Sequence, residues 1–313
     1  MPSTEHKNIA ARLRRYYLSL KREIAESERL MAEDGEDYSK GRRKLEAMTR
    51  PDAVFKAPPS PSIGAFRLMG RAIVAVMEES AEGLDLLYHS FYYGAADFYC
   101  DAAFYMTGKP NMLIKHDFNR VSLLLATGVT LGCWTEAERI ANAVRFALTE
   151  RRRDRGQLVC GFPEVDCTSV APFVLHLYAR WSGKPFALDD LPLRSMQAYE
   201  PLLSLWQTED MQAFAKAVLE TCDFHMERSK LSEVETYEFT IPEHVLFPVE
   251  ILALLRLRET KGLVNPVIDH PLMQTPIGRL PEIKSVPHDE MMDRAVANYL
   301  STLPSSVTEQ LFL

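Results

Sequence analysis

A chain of 313 residues, 47% of them apolar, can bury a sizeable core without disulfide or metal staples. Its formal charge is −7, and the imbalance is uneven: residues 1–60 carry 13 Lys/Arg against 10 Asp/Glu, leaving 23 against 33 for the rest. An acidic body repels nucleic acid and anionic membrane, so any partner steered by charge is expected to be basic.

Five cysteines, Cys100, Cys133, Cys160, Cys167 and Cys222, are odd in number and widely spaced, which reads as buried thiols in a reducing compartment. Charges interrupt the first twenty residues, as a secretion signal would not allow. The longest apolar runs, near Val121–Trp134 and Val245–Leu255, are too short to span a membrane. A cytoplasmic location is the expectation.

From the N-terminus, Ile9, Leu13, Tyr16, Leu20 and Ile24 recur at three- and four-residue steps, predicting an amphipathic helix over residues 5–31 that Gly35 ends. A short basic helix, Tyr38–Met48, precedes the proline-rich residues 51–62, where Pro58, Pro59 and Pro61 forbid a helix. The expected organisation is an N-terminal helical pair (1–50), this linker, and a main all-helical domain (63–313).

Within the main domain, Ile63–Ser80 is a helix, and Leu84–Met106 is so crowded with aromatic residues that it reads as a central one. Val121–Trp134 is a second buried helix. Thr135 and Glu138 suggest a capping box opening the next, and the basic run Arg151–Arg155 reads as its C-terminal cap. Later helices are placed at Ser169–Trp181, Leu193–Trp206, Asp210–Arg228 after a Thr208 cap, His244–Lys261 and Pro287–Leu300. Only Val234–Ile241 hints at a strand. The predicted fold is all-α, a bundle of about ten helices with largely antiparallel neighbours.

Candidate chemistry is sparse. His89, the pair His116-Asp117, and Asp166 or Asp189 can be fitted to the order of a divalent-metal His-Asp phosphohydrolase. Asp117 serves equally well as an N-cap, and His89 as a core histidine. Asp97 with Asp101, or Asp189 with Asp190, faintly suggests an acid cluster for magnesium. His225 with Glu227, and His288 with Asp289 and Glu290, sit where an amphipathic helix or a helix first turn explains them. No nucleophile elbow, phosphate loop or zinc signature occurs, and neither a metal nor a cofactor is expected.

One electrostatic feature is pronounced. Residues 185–243 hold 12 acids against four bases, a net −8. Such a run is either a solvated set of helix faces or a docking face for a basic protein. On the second reading the contacts are Asp223, Glu227, Glu233, Glu235, Tyr237 and Glu238.

The run from Phe247 to Arg258, followed by Gly262-Leu263 and His270-Pro271-Leu272 and preceded by the helix Asp210–Arg228, resembles the C-terminal half of all-helical immunity proteins of bacterial polymorphic-toxin and type VI secretion systems. The immunity protein 49 family is the nearest, and the immunity partners of PoNe DNase toxins are a second candidate. The resemblance implies a non-catalytic cytoplasmic antitoxin that binds a cognate toxin, with no nucleic acid or membrane partner. A generic helical scaffold and the metal phosphohydrolase are the alternatives.

Overall fold

Apolar residues spaced by three and four positions turn most of the chain into helix, and the fold is an all-α bundle with one small hairpin. The computed structural model describes residues 4–34, 45–50, 62–107, 116–149, 152–154, 157–160, 168–189, 191, 193–196, 198–229, 238–286 and 288–312. Its helices are α1 (Thr4–Asp34), α2 (residues 45–48), α3 (Ser62–Met77), α4 (Gly83–Met106), α5 (Phe118–Leu131), α6 (Trp134–Thr149) and α7 (Val170–Ser182). They continue with α8 (Glu200–Leu205), α9 (Met211–Glu227), α10 (Pro242–Leu246), α11 (Val249–Thr260), α12 (Pro271–Gln274), α13 (Glu290–Ser301) and α14 (Ser305–Phe312). The expected linker at 51–62 lies outside the described residues except for Ser62, as do most of the expected Tyr38–Met48 helix and the first half of the Val234–Ile241 segment, whose described residues 238–241 form no strand.

Two helices form the centre. Helix α4 buries residues all round its axis, among them Tyr88, Phe91, Phe98 and Tyr99. Every residue of α11 from Val249 to Arg258 is buried. Close approach of α4 and α5 needs Gly128, where a Cβ would stand 2.7 Å from the Phe91 ring. Helix α5 then ends at Gly132 with φ 72°, the left-handed conformation that glycine adopts without strain.

The N-terminal helix packs on this body. Ile9, Leu13 and Leu20 enter the same core cluster as α4 and α11. Arg12 donates to the carbonyls of Met226 (2.5 Å) and Ser229 (2.9 Å), and Tyr16 donates to Ser229 (2.7 Å). A cation from α1 thus sits at the negative end of α9.

Several local expectations need correction. The helix expected over His244–Lys261 is broken into α10 and α11 by Pro248, which has no N–H to donate and holds Phe247 in an extended conformation (φ −107°, ψ 95°). Thr135 lies inside the first turn of α6, so it does not cap that helix. The cap of α9 is Asp210, which accepts from the N–H groups of Gln212 and Ala213, while Thr208 accepts from Asp210 itself. Of the expected Leu193–Trp206 helix, only α8 forms among the described residues. The basic run after α6 contributes Arg152–Asp154 to β1, paired antiparallel with β2 (Gln157–Cys160), so its backbone turns into a hairpin.

Cys100, Cys133 and Cys222 are free and buried. Burial raises all three thiols, that of Cys133 to about 12, which keeps them protonated and unreactive.

Candidate functional site

The acidic segment divides into an outer row and an inner set. On α9, Phe214, Ala217, Val218, Cys222 and His225 face the core, which turns Glu220, Asp223 and Glu227 outward along one exposed stripe. Lys216 stands 3.8 Å from Glu220, and Arg12 and Arg228 lie at the C-terminal end of the same helix. Asp223 is held in place by His270: the ring Nε2 lies 3.2 Å from Asp223 Oδ1, while Nδ1 accepts from the Leu272 N–H. Because Nδ1 accepts, the proton of the neutral ring sits on Nε2 and is donated to Asp223.

Glu238, expected on the docking face, is instead taken inward. It is 9% exposed, and its carboxylate accepts from the N–H groups of Ser169 and Val170 (3.2 Å each) and from the Ser169 hydroxyl. The first turn of α7 lacks a cap from its own Ser169 side chain, and a carboxylate 69 residues away supplies one. Burial nonetheless holds the Glu238 carboxyl above the usual carboxylate range, with the Ser169 bonds pulling the other way. Glu233, Glu235 and Tyr237 lie outside the described residues. Of the six expected contacts, Asp223 and Glu227 stand exposed on the α9 stripe.

Among the described residues, the members of the alternative His-Asp metal set do not come together. Asp117 spends its Oδ1 on the Asn119 and Arg120 N–H groups at 2.9 and 3.1 Å, the capping alternative read from sequence. His89 packs its ring 6.3 Å from that of Tyr93, Asp189 is exposed, and Asp166 is outside the described residues. Asp289 caps α13 through Met291 and Met292. Among the described residues no three His, Cys, Asp or Glu side chains stand close enough to hold a metal ion.

His116 does meet a carboxylate, but a different one: its Nε2 is 3.4 Å from Asp97 of α4. Both line a cavity of about 110 Å³ between α3, α4, α5 and α10. Ser90, Arg120, Thr127, Glu243 and His244 add to its polar lining, and Ile73, Leu124 and Phe247 form apolar wall. Sequence reasoning missed this grouping, since its members come from four separate elements.

Deeper in the core, His225 Nδ1 lies 2.7 Å from Glu250 Oε1 and its Nε2 lies 3.1 Å from the Val245 carbonyl oxygen. The ring stacks on Phe239 with centroids 4.0 Å apart. Both partners are fully buried, so this pair joins α9 to α11 and has no opening to a ligand. Among the described residues no helix is long and apolar enough to cross a membrane.

Comparison with protein-family models, with curated proteins and with solved structures gives no match.

Proposed function

We propose that this chain is a non-catalytic binding protein of the immunity type, which neutralises a basic protein toxin in the cytoplasm through the acidic stripe of α9. The observation that carries this reading is the alignment of Glu220, Asp223 and Glu227 on the exposed face of one well-anchored helix. Opposite potentials accelerate encounter, and a negative row on a rigid helix suits a cleft that is basic because it handles nucleic acid. Asp223 loses little freedom on binding because His270 already orients it. The resemblance of Phe247–Arg258 and its flanks to immunity proteins points the same way.

The test pairs the chain with the product of the gene encoded beside it. Glu220→Lys with Glu227→Lys leaves the Asp223–His270 contact untouched. The double variant is expected to keep its fold, to bind at least about tenfold more weakly, and to fail to rescue growth. Unchanged affinity at low and high salt would remove α9 from the interface. Binding of a basic partner without growth rescue would favour a scaffold role instead.

A further inference from the structure

Opposite its core face, α1 carries a row of cations that the fold leaves unpaired. Residues 6–22 hold six Lys or Arg and no acid. At about 100° per residue, Lys7, Arg14, Arg15 and Arg22 fall within an arc of about 100° on the side of the helix away from Ile9, Leu13 and Leu20. All four are exposed, and none has a hydrogen-bond or ion-pair partner among the described residues. Leu18, 40% exposed, stands in the middle of the same arc. Other charges of α1 are engaged: Arg12 with carbonyls at the end of α9, Lys21 with Glu78, Arg29 with Glu26, and Glu28 with Arg71.

The chemistry of this face selects among anionic partners. A membrane-surface helix sinks its apolar face into lipid, whereas that face of α1 lies in the protein core. A nucleic acid would meet a chain of net charge −7. An acid row on a protein is the remaining match, and this chain presents one. Glu220, Asp223 and Glu227 are exposed along α9, flanked by Leu219 and Phe224, which are half-buried. Arg15 and Arg22 are seven residues apart, as are Glu220 and Glu227, so at a rise of about 1.5 Å per residue each pair spans about 10.5 Å. Two such helices laid side by side can make both contacts at once, with Leu18 between them.

We propose that α1 and α9 form a self-complementary interface, in which the cation row Arg15–Arg22 of one copy docks on the acidic stripe Glu220–Glu227 of a second copy. Contacts of this kind are exposed and screened by salt, so the association is reversible, and a tighter basic partner would displace the second copy from α9. The proposal concerns the free chain and does not depend on the toxin reading.

Sedimentation equilibrium of the full-length chain tests it by charge exchange. The parent is expected to self-associate with a Kd on the order of 100 μM or tighter, weakening at least about tenfold between about 50 mM and about 500 mM salt. Arg15→Glu with Arg22→Glu, and separately Glu220→Lys with Glu227→Lys, should each weaken self-association at least about tenfold, since each variant then presents like charges on both helices. An equimolar mixture of the two variants should associate again at the parent's strength, because opposite charges then face one another in both contacts. Circular dichroism checks that each variant stays helical, and Arg15→Gln with Arg22→Gln should show the same loss if the reversal unfolds α1. A parent that stays monomeric overturns the proposal, as does association that survives either folded variant. Loss in both variants without recovery in the mixture overturns it too, since the two rows then do not meet. Binding of a short DNA duplex by a monomeric parent, lost in the arginine variant, would assign the row to nucleic acid instead.

Discussion

Arg258 places its guanidinium carbon 3.9 Å from the centroid of the Phe214 ring, inside the core. Its N–H groups go to the carbonyls of Trp206 (2.8 Å), Thr208 (3.1 Å) and Val264 (3.1 Å) and to Asn265 Oδ1 (3.2 Å). One planar fork on α11 therefore closes the end of α8, the loop into α9 and the loop after α11. Removing it leaves the buried Trp206 carbonyl and the part-buried Thr208 and Val264 carbonyls without this donor. Arg258→Met is expected to lower stability by about 3 kcal/mol, and Arg258→Lys by nearly as much, because an ammonium cannot reach all four acceptors. Urea denaturation measures both, and a lysine variant within about 1 kcal/mol of the parent would falsify the role given to the fork.

The pair His225 and Glu250 should behave as a unit. Glu250 Oε2 has no partner among the described residues, so the pair carries a desolvation cost that its 2.7 Å contact offsets only in part. Truncation of one partner, as in Glu250→Ala, is expected to cost about 3–5 kcal/mol. The double change His225→Phe with Glu250→Leu should cost clearly less than the sum of the single changes. A double-mutant cycle by chemical denaturation reads this directly, and additive costs would mean that the two side chains are not coupled.

Glu238 distinguishes a structural acid from the acids proposed for docking. Its carboxylate caps α7 across the core, so Glu238→Ala should destabilise the chain by about 1–2 kcal/mol through loss of that cap. Affinity for a basic partner, measured below the unfolding transition, should stay unchanged. Thermal denaturation with a parallel binding titration checks both halves; a binding loss in a fully folded variant would return Glu238 to the interface.

Acid sensitivity is expected at His244. The unfolded ring titrates near pH 6.5, whereas in the fold its pKa is lowered to about 4. Between those values the unfolded chain takes up a proton that the folded chain refuses, so this contribution is intact above about pH 6.5 and is lost as pH falls toward 4. Glu238 and Glu243, both raised first by burial, act in the opposite sense, but they are common to parent and variant. From pH 7 to pH 5 the parent should lose about 1–2 kcal/mol more than His244→Gln. Parallel pH profiles in urea would show that the ring is accessible to protons in the fold.

The local features of the chain are written in neighbouring residues. Ile9, Leu13 and Leu20 identify the inner face of α1 because helix spacing alone aligns them, and Asp117 caps α5 because its acceptor is two and three residues from its donors. The central position of α4 is likewise legible, since a helix apolar all round has no surface to give to water. Even the exposure of Glu220, Asp223 and Glu227 follows from the apolar face they oppose.

What lies between elements is another matter. The capture of Glu238 by the start of α7, the meeting of His225 with Glu250, the reach of Arg258 and the collection of Asp97, His116 and Glu243 around one cavity depend on which helices pack together. A polar side chain looks alike in sequence whether it ends in water or in the core. Periodicity states which way it leaves its own helix, and only the tertiary packing decides whether another element is there to bury it and complete its hydrogen bonds.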